Sequence, residues 1–443
     1  MAANSAASSS QVHHLLPLLL VLLVVPSSLA QSRTFNLVNH CTDTVWFTVT
    51  SGAVASISGS ACTVDTDCVE GTSCQVNNGI CYWTVPTPGR GNFRLEPNGG
   101  TNTVTFDFYS NGQSVVWSGN IGGCLNGTCS ASASSCDATG CGTTGGSPQT
   151  LAEFTLSTTG QDYYDVEVIN GFNLPVAVYP QLTTTPSSTT PYTCGSPGSP
   201  QSLTGTANCT WKFTPPSIYY NWVQTGGASC SALSDCSGYP GTVCGLSNNI
   251  GHSPRFQLTC GALLGYWTAN QVCGVDNTVS FFNCTQALTS PDAGDTLWNL
   301  YACNNGIPSC YQNGASSGCC GCADWETLGL SVPASTQSCV SANPTWTSEV
   351  LPGLKWIKAA CPSVYTYPFD DMSSTFVCSS IKSGNNVLSY SITWCPQSDV
   401  PTDSTGPSGP SATATPTSKS SAALLIPSSL VSLALFMLLF VVY

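Results

Sequence analysis

Leu151-Ala152-Glu153-Phe154-Thr155-Leu156, followed after six intervening residues by Tyr163-Tyr164-Asp165-Val166-Glu167-Val168-Ile169, is the passage that decides the fold. In an extended chain successive side chains point to opposite faces. Ala152 and Phe154 then share one face with Glu153 on the other, and Tyr164 and Val166 share one face with Asp165 on the other. If the six intervening residues form a hairpin, the two carboxylates lie close together on one side of a sheet. Working outward, Thr34 to Val38, Thr44 to Thr50 and Asn102 to Tyr109 have the same texture, rich in Val, Thr, Phe and Tyr and bounded by Gly, Asn and Pro. Short strands at this spacing predict a mainly β protein, a sandwich or barrel. Helical spacing is scarce. The best case is Thr347 to Ala360, where Val350, Leu351, Leu354, Trp356, Ile357 and Ala360 predict a short helix beginning near Pro352, with a core-facing stripe.

The chain has 26 cysteines, and only 7% of its residues are charged. A reducing compartment would leave so many thiols reactive. Zinc would require paired Cys and His at short spacing, but beyond the leader only His40 and His252 occur, and Cys319-x2-Cys322 has no second pair. Disulfides are expected, and no metal or other cofactor. Two segments are alike: Cys62, Cys68, Cys74 and Cys81 followed by Tyr82-Trp83-Thr84, and Cys230, Cys236, Cys244 and Cys260 followed by Tyr266-Trp267-Thr268. Both open on Cys-x5-Cys. They read as Cys-rich insertions, about residues 55–85 and 186–275, too polar to fold without bridges. Their Tyr-Trp pairs are expected to pack beneath the cysteine-rich loops, the alternative being stacking on sugar rings.

The termini address the chain to the cell exterior. Residues 1–30 contain an apolar run from Leu15 to Val25 and then Pro26-Ser27-Ser28-Leu29-Ala30, the pattern of a cleaved signal peptide that leaves Gln31 first. Sequons at Asn126, Asn208 and Asn283 fit an exported glycoprotein. Residues 397–421 form a Ser/Thr/Pro-rich linker, and 422–443 are almost wholly apolar, with no basic residue after them. That tail is expected to be a lipid (GPI) anchor signal with attachment near Ser420 or Ser421, placing the protein on the outer leaflet of the plasma membrane; a retained C-terminal helix is the alternative. The net charge of -13, with nine scattered Lys and Arg, argues against a nucleic-acid partner. No nucleotide loop and no Ser-His-Asp or Cys-His motif is present.

With those pieces placed, the chain resembles the thaumatin-like proteins. The likeness starts at Thr34-Phe35-Asn36-Leu37-Val38-Asn39, Cys41 and Thr44-Val45-Trp46. It is strongest from Pro148-Gln149-Thr150-Leu151-Ala152-Glu153-Phe154 through Asp162-Tyr163-Tyr164-Asp165-Val166 to Gly171-Phe172-Asn173-Leu174-Pro175. It resumes at Cys319-Cys320, Cys361-Pro362, Tyr365, Tyr367-Pro368, Asp370-Asp371, Ser374-Thr375-Phe376 and Cys378, and ends at Trp394-Cys395-Pro396. The resemblance implies one thaumatin-like domain over residues 31–396, a β-sandwich core with disulfide-rich lobes, and a bridge between Cys41 and Cys395. In the chain-entropy model such a bridge contributes roughly 5 kcal/mol. Cys124, Cys129, Cys136 and Cys141 match a quartet of the family in order.

The resemblance also implies an acidic cleft lined by an Arg, a Glu and three Asp. Glu153 and Asp165 match the Glu and the first Asp, and Asp371 or its neighbour Asp370 matches the third. The middle Asp is replaced by Asn170, and the Arg position falls near Val115, so the charge of the five positions stays at -3. Many members bind β-1,3-glucan and some hydrolyse it. Hydrolysis would use Glu153 as acid and Asp165 as base or nucleophile. Without the Arg, positioning is weakened. The expected function is therefore that of a monomeric surface protein binding β-1,3-glucan or a related wall polysaccharide, with weak or no hydrolase activity. The alternatives are an active endo-β-1,3-glucanase and a protein-interaction or structural module. Asp162 and Glu167 are read as solubilising surface charges.

Overall fold

In a computed structural model the described residues are 31–397, except 55–57, 70, 109–115, 126–127, 129–132, 143–145, 158–160, 182–189, 202–207, 290–292, 308–318, 333–342 and 380–388. The leader, most of the linker, the apolar tail with Ser420 and Ser421, Asn126, Val115 and Cys129 lie outside them. Among the described residues no helix is long and apolar enough to cross a membrane.

The fold is mainly β, a thaumatin-like sandwich with disulfide-rich lobes. Its ten core strands are β1 (Gln31–Asn39), β2 (Val45–Ser51), β3 (Arg94–Leu95), β4 (Gly100–Phe108), β5 (Val116–Leu125), β6 (Leu151–Ser157), β7 (Gln161–Glu167), β8 (Val176–Gln181), β9 (Phe376–Ser379) and β10 (Ser389–Trp394). One sheet has the order β8-β10-β1-β4 and the other β9-β7-β6-β5-β2-β3. Alternation along each strand sends one set of side chains between the sheets. Phe35 packs on Phe154 at 4.7 Å between ring centroids and on Phe106 at 5.9 Å, and Tyr390 lies 5.1 Å from Phe154. These rings are almost completely buried. β1 and β10 run parallel from Thr34 opposite Ser389 to Asn39 opposite Trp394. Just beyond their ends, Cys41 and Cys395 are bonded, with an S–S distance of 2.07 Å and a Cα separation of 5.1 Å.

Every described cysteine is bridged. In both Cys-rich segments the first cysteine pairs with the third and the second with the fourth: Cys62–Cys74 with Cys68–Cys81, and Cys230–Cys244 with Cys236–Cys260. Each also contains a short 3-10 turn closed by an aspartate. Asp67 accepts from the amide and hydroxyl of Thr63, and Asp235 does the same for Ser231. Trp83 and Trp267 are buried, the latter donating from Nε1 to the Leu246 carbonyl at 3.1 Å. The packing reading of these tryptophans therefore holds, and sugar stacking is not available to them.

The helix at Leu351–Ala360 carries Pro352 in its first turn, where a missing N–H costs nothing, and a π turn at Trp346–Val350 precedes it. Leu351, Leu354, Trp356, Ile357 and Ala360 are buried, as the periodicity predicts. Its Lys358 is buried too. The Nζ shares its three N–H donors among four acceptors, Asp370 Oδ2 at 2.8 Å, the Val364 carbonyl at 2.8 Å and the hydroxyls of Ser373 and Ser374 at 2.9 and 2.7 Å.

Candidate functional site

The solvent-side face of the six-stranded sheet is built from odd-numbered positions. Glu153 on β6 lies directly opposite Asp165 on β7 and, on its other side, opposite Asn120 on β5. Phe154, Ala152, Tyr164 and Val166 point the other way into the core. Period two then puts Glu167 on the Asp165 face. A crossing segment covers part of it: the Tyr365 amide donates to the Val166 carbonyl at 2.8 Å, and the Val168 amide donates to the Tyr365 carbonyl at 2.9 Å. The Tyr365 hydroxyl in turn hydrogen-bonds Asp371.

Four carboxyl groups result: Glu153, Asp165, Glu167 and Asp371. Asp165 is 5% exposed and Glu167 4%, while Glu153 and Asp371 are half-buried and form the accessible rim. Glu153 and Glu167 are hydrogen-bonded to each other, Asn120 supports Glu153, and Asn170 Nδ2 donates to Glu167 Oε1 at 3.2 Å. Burial first, then the charges of Glu153, Asp371 and Asp370, hold the Asp165 carboxyl well above the usual range. Burial and the contact with Glu153 do the same to Glu167. Glu153 is raised chiefly by burial, against the hydrogen bonds from Glu167 and Asn120. Burial pushes Asp371 up to about 6, opposed by the Tyr365 hydroxyl. Among the described residues no Lys or Arg is among the influences on any of the four. A small cavity of about one water molecule is lined by Ile169, Thr268, Asn270, Tyr301, Gly353 and Thr366, and none of the four carboxyl residues lines it.

Three sequence expectations need correcting. Asp370, assigned to the cleft with Asp371, is 2% exposed and occupied by Lys358, Thr366, Ser373 and the Trp325 indole, whose Nε1 donates to Oδ1 at 2.9 Å. It stabilises the lobe and presents nothing to a ligand. Asp162 is not a surface charge: it is fully buried on Arg33 Nε at 2.8 Å and on the Tyr390 hydroxyl at 3.0 Å. Nor is Glu167, which joins the acidic cluster. Asn170 sits at the margin of that cluster as the partner of Glu167. The sequons at Asn208 and Asn283 are exposed, and the cysteine inside each is bridged, Cys209 to Cys361 and Cys284 to Cys273.

The groups of cysteine sulfurs close enough to suggest a metal, Cys62/Cys68/Cys74 and Cys230/Cys236/Cys244, are members of the disulfides already described.

A disulfide-stapled β-sandwich with a carboxylate-lined outer face defines the class of protein to which this molecule is assigned. The chain belongs to the thaumatin family, whose model matches residues 39–396. It is similar to a pathogenesis-related 5 protein, Jun a 3.0101, of Juniperus ashei, with 33% identity over 108 residues, 23% of this chain and 44% of that protein. A 41-residue stretch is 58% identical to thaumatin-like protein 2 of Prunus persica, covering 9% of this chain and 17% of the relative. Pathogenesis-related thaumatin-like protein 3.5 of Cryptomeria japonica aligns at 22% identity over 379 residues, 85% of this chain and 96% of its own length. The chain thus spans less than half of the first two relatives and nearly all of the third.

Proposed function

We propose that this is an exported, wall-facing protein that binds β-1,3-glucan or a related wall polysaccharide across the Glu153–Asp165 face, with weak or no hydrolase activity. The observation that carries the reading is the direct cross-strand pairing of Glu153 with Asp165 beside Asp371, on a face where no basic group among the described residues acts on them. Carboxylates and the half-buried ring of Tyr163, two residues before Asp165 on the same face, suit the hydroxyls and flat faces of pyranose rings.

Proton placement argues against efficient hydrolysis. The reaction wants Glu153 protonated to donate and Asp165 ionised to attack or activate water. Here burial raises both carboxyls, and at Asp165 the charges of Glu153, Asp371 and Asp370 add to it, so the ionised base or nucleophile that hydrolysis needs is disfavoured there.

The test is a pull-down of the ectodomain on insoluble β-1,3-glucan, chitin and cellulose, with laminarin hydrolysis followed in parallel. Retention on glucan that Glu153→Gln weakens, with no released sugar, is the expected result; product from the wild type but not from Glu153→Gln would establish the endo-glucanase. A protein-interaction role is favoured by a separate observation. Among the described residues the large apolar side chains that stay exposed, Val64, Val76, Ile80, Leu233, Tyr239, Ile250 and Leu263, lie within or beside the two Cys-rich segments. Absence of retention on any polysaccharide would favour that reading.

The apolar tail extends the proposal to a lipid-anchored protein of the outer leaflet, held by its linker within reach of the wall. Release of a membrane-bound pool by phosphatidylinositol-specific phospholipase is expected, and a pool found wholly in the medium would refute the anchor.

A further inference from the structure

Four carboxyl groups crowd this face, where burial and neighbouring negative charge hold them toward their protonated forms, and a neutral glucan would leave that repulsion unanswered. The neighbouring basic residues are already engaged, Lys358 with Asp370 and Arg33 with Asp162. Asp165 Oδ1 is fully buried and has no protein hydrogen-bond partner, although its residue lies in the middle of the cluster. A carboxyl oxygen that carries no proton only accepts, so what Oδ1 lacks is a donor, and a buried acceptor left unpaired is costly. A cationic donor would answer both deficits. A divalent metal fits poorly, because among the described residues no three carboxylates bring their oxygens close enough to share an ion. A primary ammonium is compact and carries three donors. Tyr163, half-buried and two residues before Asp165 on the same face, supplies a ring against which a sugar can lie.

We propose that the cleft receives an amino-sugar polymer, with a protonated primary amine directed at Asp165 and Glu153 and the sugar ring against Tyr163. This rests on the saccharide reading above and narrows its ligand class to a cationic polysaccharide. Glu167 is the residue that sets the preference, since it restores the negative charge removed where Asn170 stands.

The experiment is calorimetric titration of the ectodomain with three oligosaccharides of equal length, at a pH where the amine is protonated: β-1,4-linked glucosamine, its N-acetylated form, and β-1,3-linked glucose. The glucosamine oligomer is expected to bind about tenfold more tightly than its acetylated form, about 1.4 kcal/mol. Glu167→Gln and Asp165→Asn should each erase most of that preference. Glu349→Gln, which removes the same charge from an exposed site, should leave it intact. Equal affinity for the amine and acetyl forms overturns the proposal, and so does an equal loss in Glu349→Gln, which would mean general attraction to an acidic surface. Binding of the glucose oligomer with no amine preference sinks this inference alone. Binding of none of the three sinks the saccharide reading with it.

Discussion

A carboxyl group that folding drives to keep its proton weakens the fold once it ionises. Asp371 is raised from 3.8 to about 6, so between those values the folded chain holds more protons than the unfolded one, and stability falls as pH rises. For Asp371 alone the loss above its folded value is at most about 3 kcal/mol. Asp165 and Glu167, raised further by burial and mutual repulsion, extend the decline to higher pH. Asp67 and Asp235 act in the opposite sense: their hydrogen bonds lower them, and what they contribute is lost as pH falls. Glu167→Gln keeps a donor toward Glu153 and an acceptor for Asn170 while removing the charge. Its melting temperature should therefore exceed that of the wild type near neutral pH, with the gap closing toward a pH of about 4; a gap that persists at acid pH would contradict the proton assignment. Lys358→Ala tests the other buried group. It strands Asp370 beneath Trp325, and breaking such a pair costs about 3–5 kcal/mol in denaturant unfolding. Glu153 and Asp165 were legible from alternation within their two strands. Period two also places Glu167 with them, but its burial depends on Tyr365, nearly two hundred residues away, and local pattern carries no sign of that cover.

The same limit applies to whole elements. The strands read from Val, Thr, Phe and Tyr are all present within a few residues of their expected ends, and so is the helix before Cys361. β5 was not legible, because Gly119, Gly122 and Gly123 interrupt it and glycine ordinarily weakens a strand. Close approach explains them. A Cβ on Gly119 would lie 2.3 Å from the Thr50 carbonyl oxygen, and one on Gly123 would lie 2.7 Å from the Trp394 indole nitrogen. The chain has exchanged strand propensity for contact between β2, β5 and a buried tryptophan. Gly119→Ala is accordingly expected to destabilise by about 1–3 kcal/mol, since rigid backbone must shift. Gly238→Ala, where an added Cβ meets nothing within 4 Å, should change stability by no more than about 0.5 kcal/mol in the same assay. Equal effects at the two positions would refute the packing account of β5.

At the scale of the molecule, β1 and β10 come from opposite ends of the domain and pair in parallel, an arrangement that requires ordering the chain between them. The Cys41–Cys395 bridge sits at the exit of that pair and spans 354 residues. In the chain-entropy model a loop of this length gives roughly 5–6 kcal/mol, and measured losses for native disulfides run at about 2–5. Because β10 is flanked by β8 and β1, fraying at its end would expose the core around Tyr390 and Trp394. The acidic face is less directly exposed to that loss, since β6 and β7 belong to the other sheet and are held by their own pairing. Replacing Cys41 and Cys395 together by Ala should therefore lower unfolding stability by at least about 2 kcal/mol while leaving ligand affinity near that of the wild type at temperatures where the variant is folded. Hydrogen exchange should show the earliest loss of protection in β10 and β1, with β6 and β7 protected to higher denaturant. Simultaneous loss in both sheets would mean that the sandwich opens as one unit and that the bridge guards the site as well as the seam.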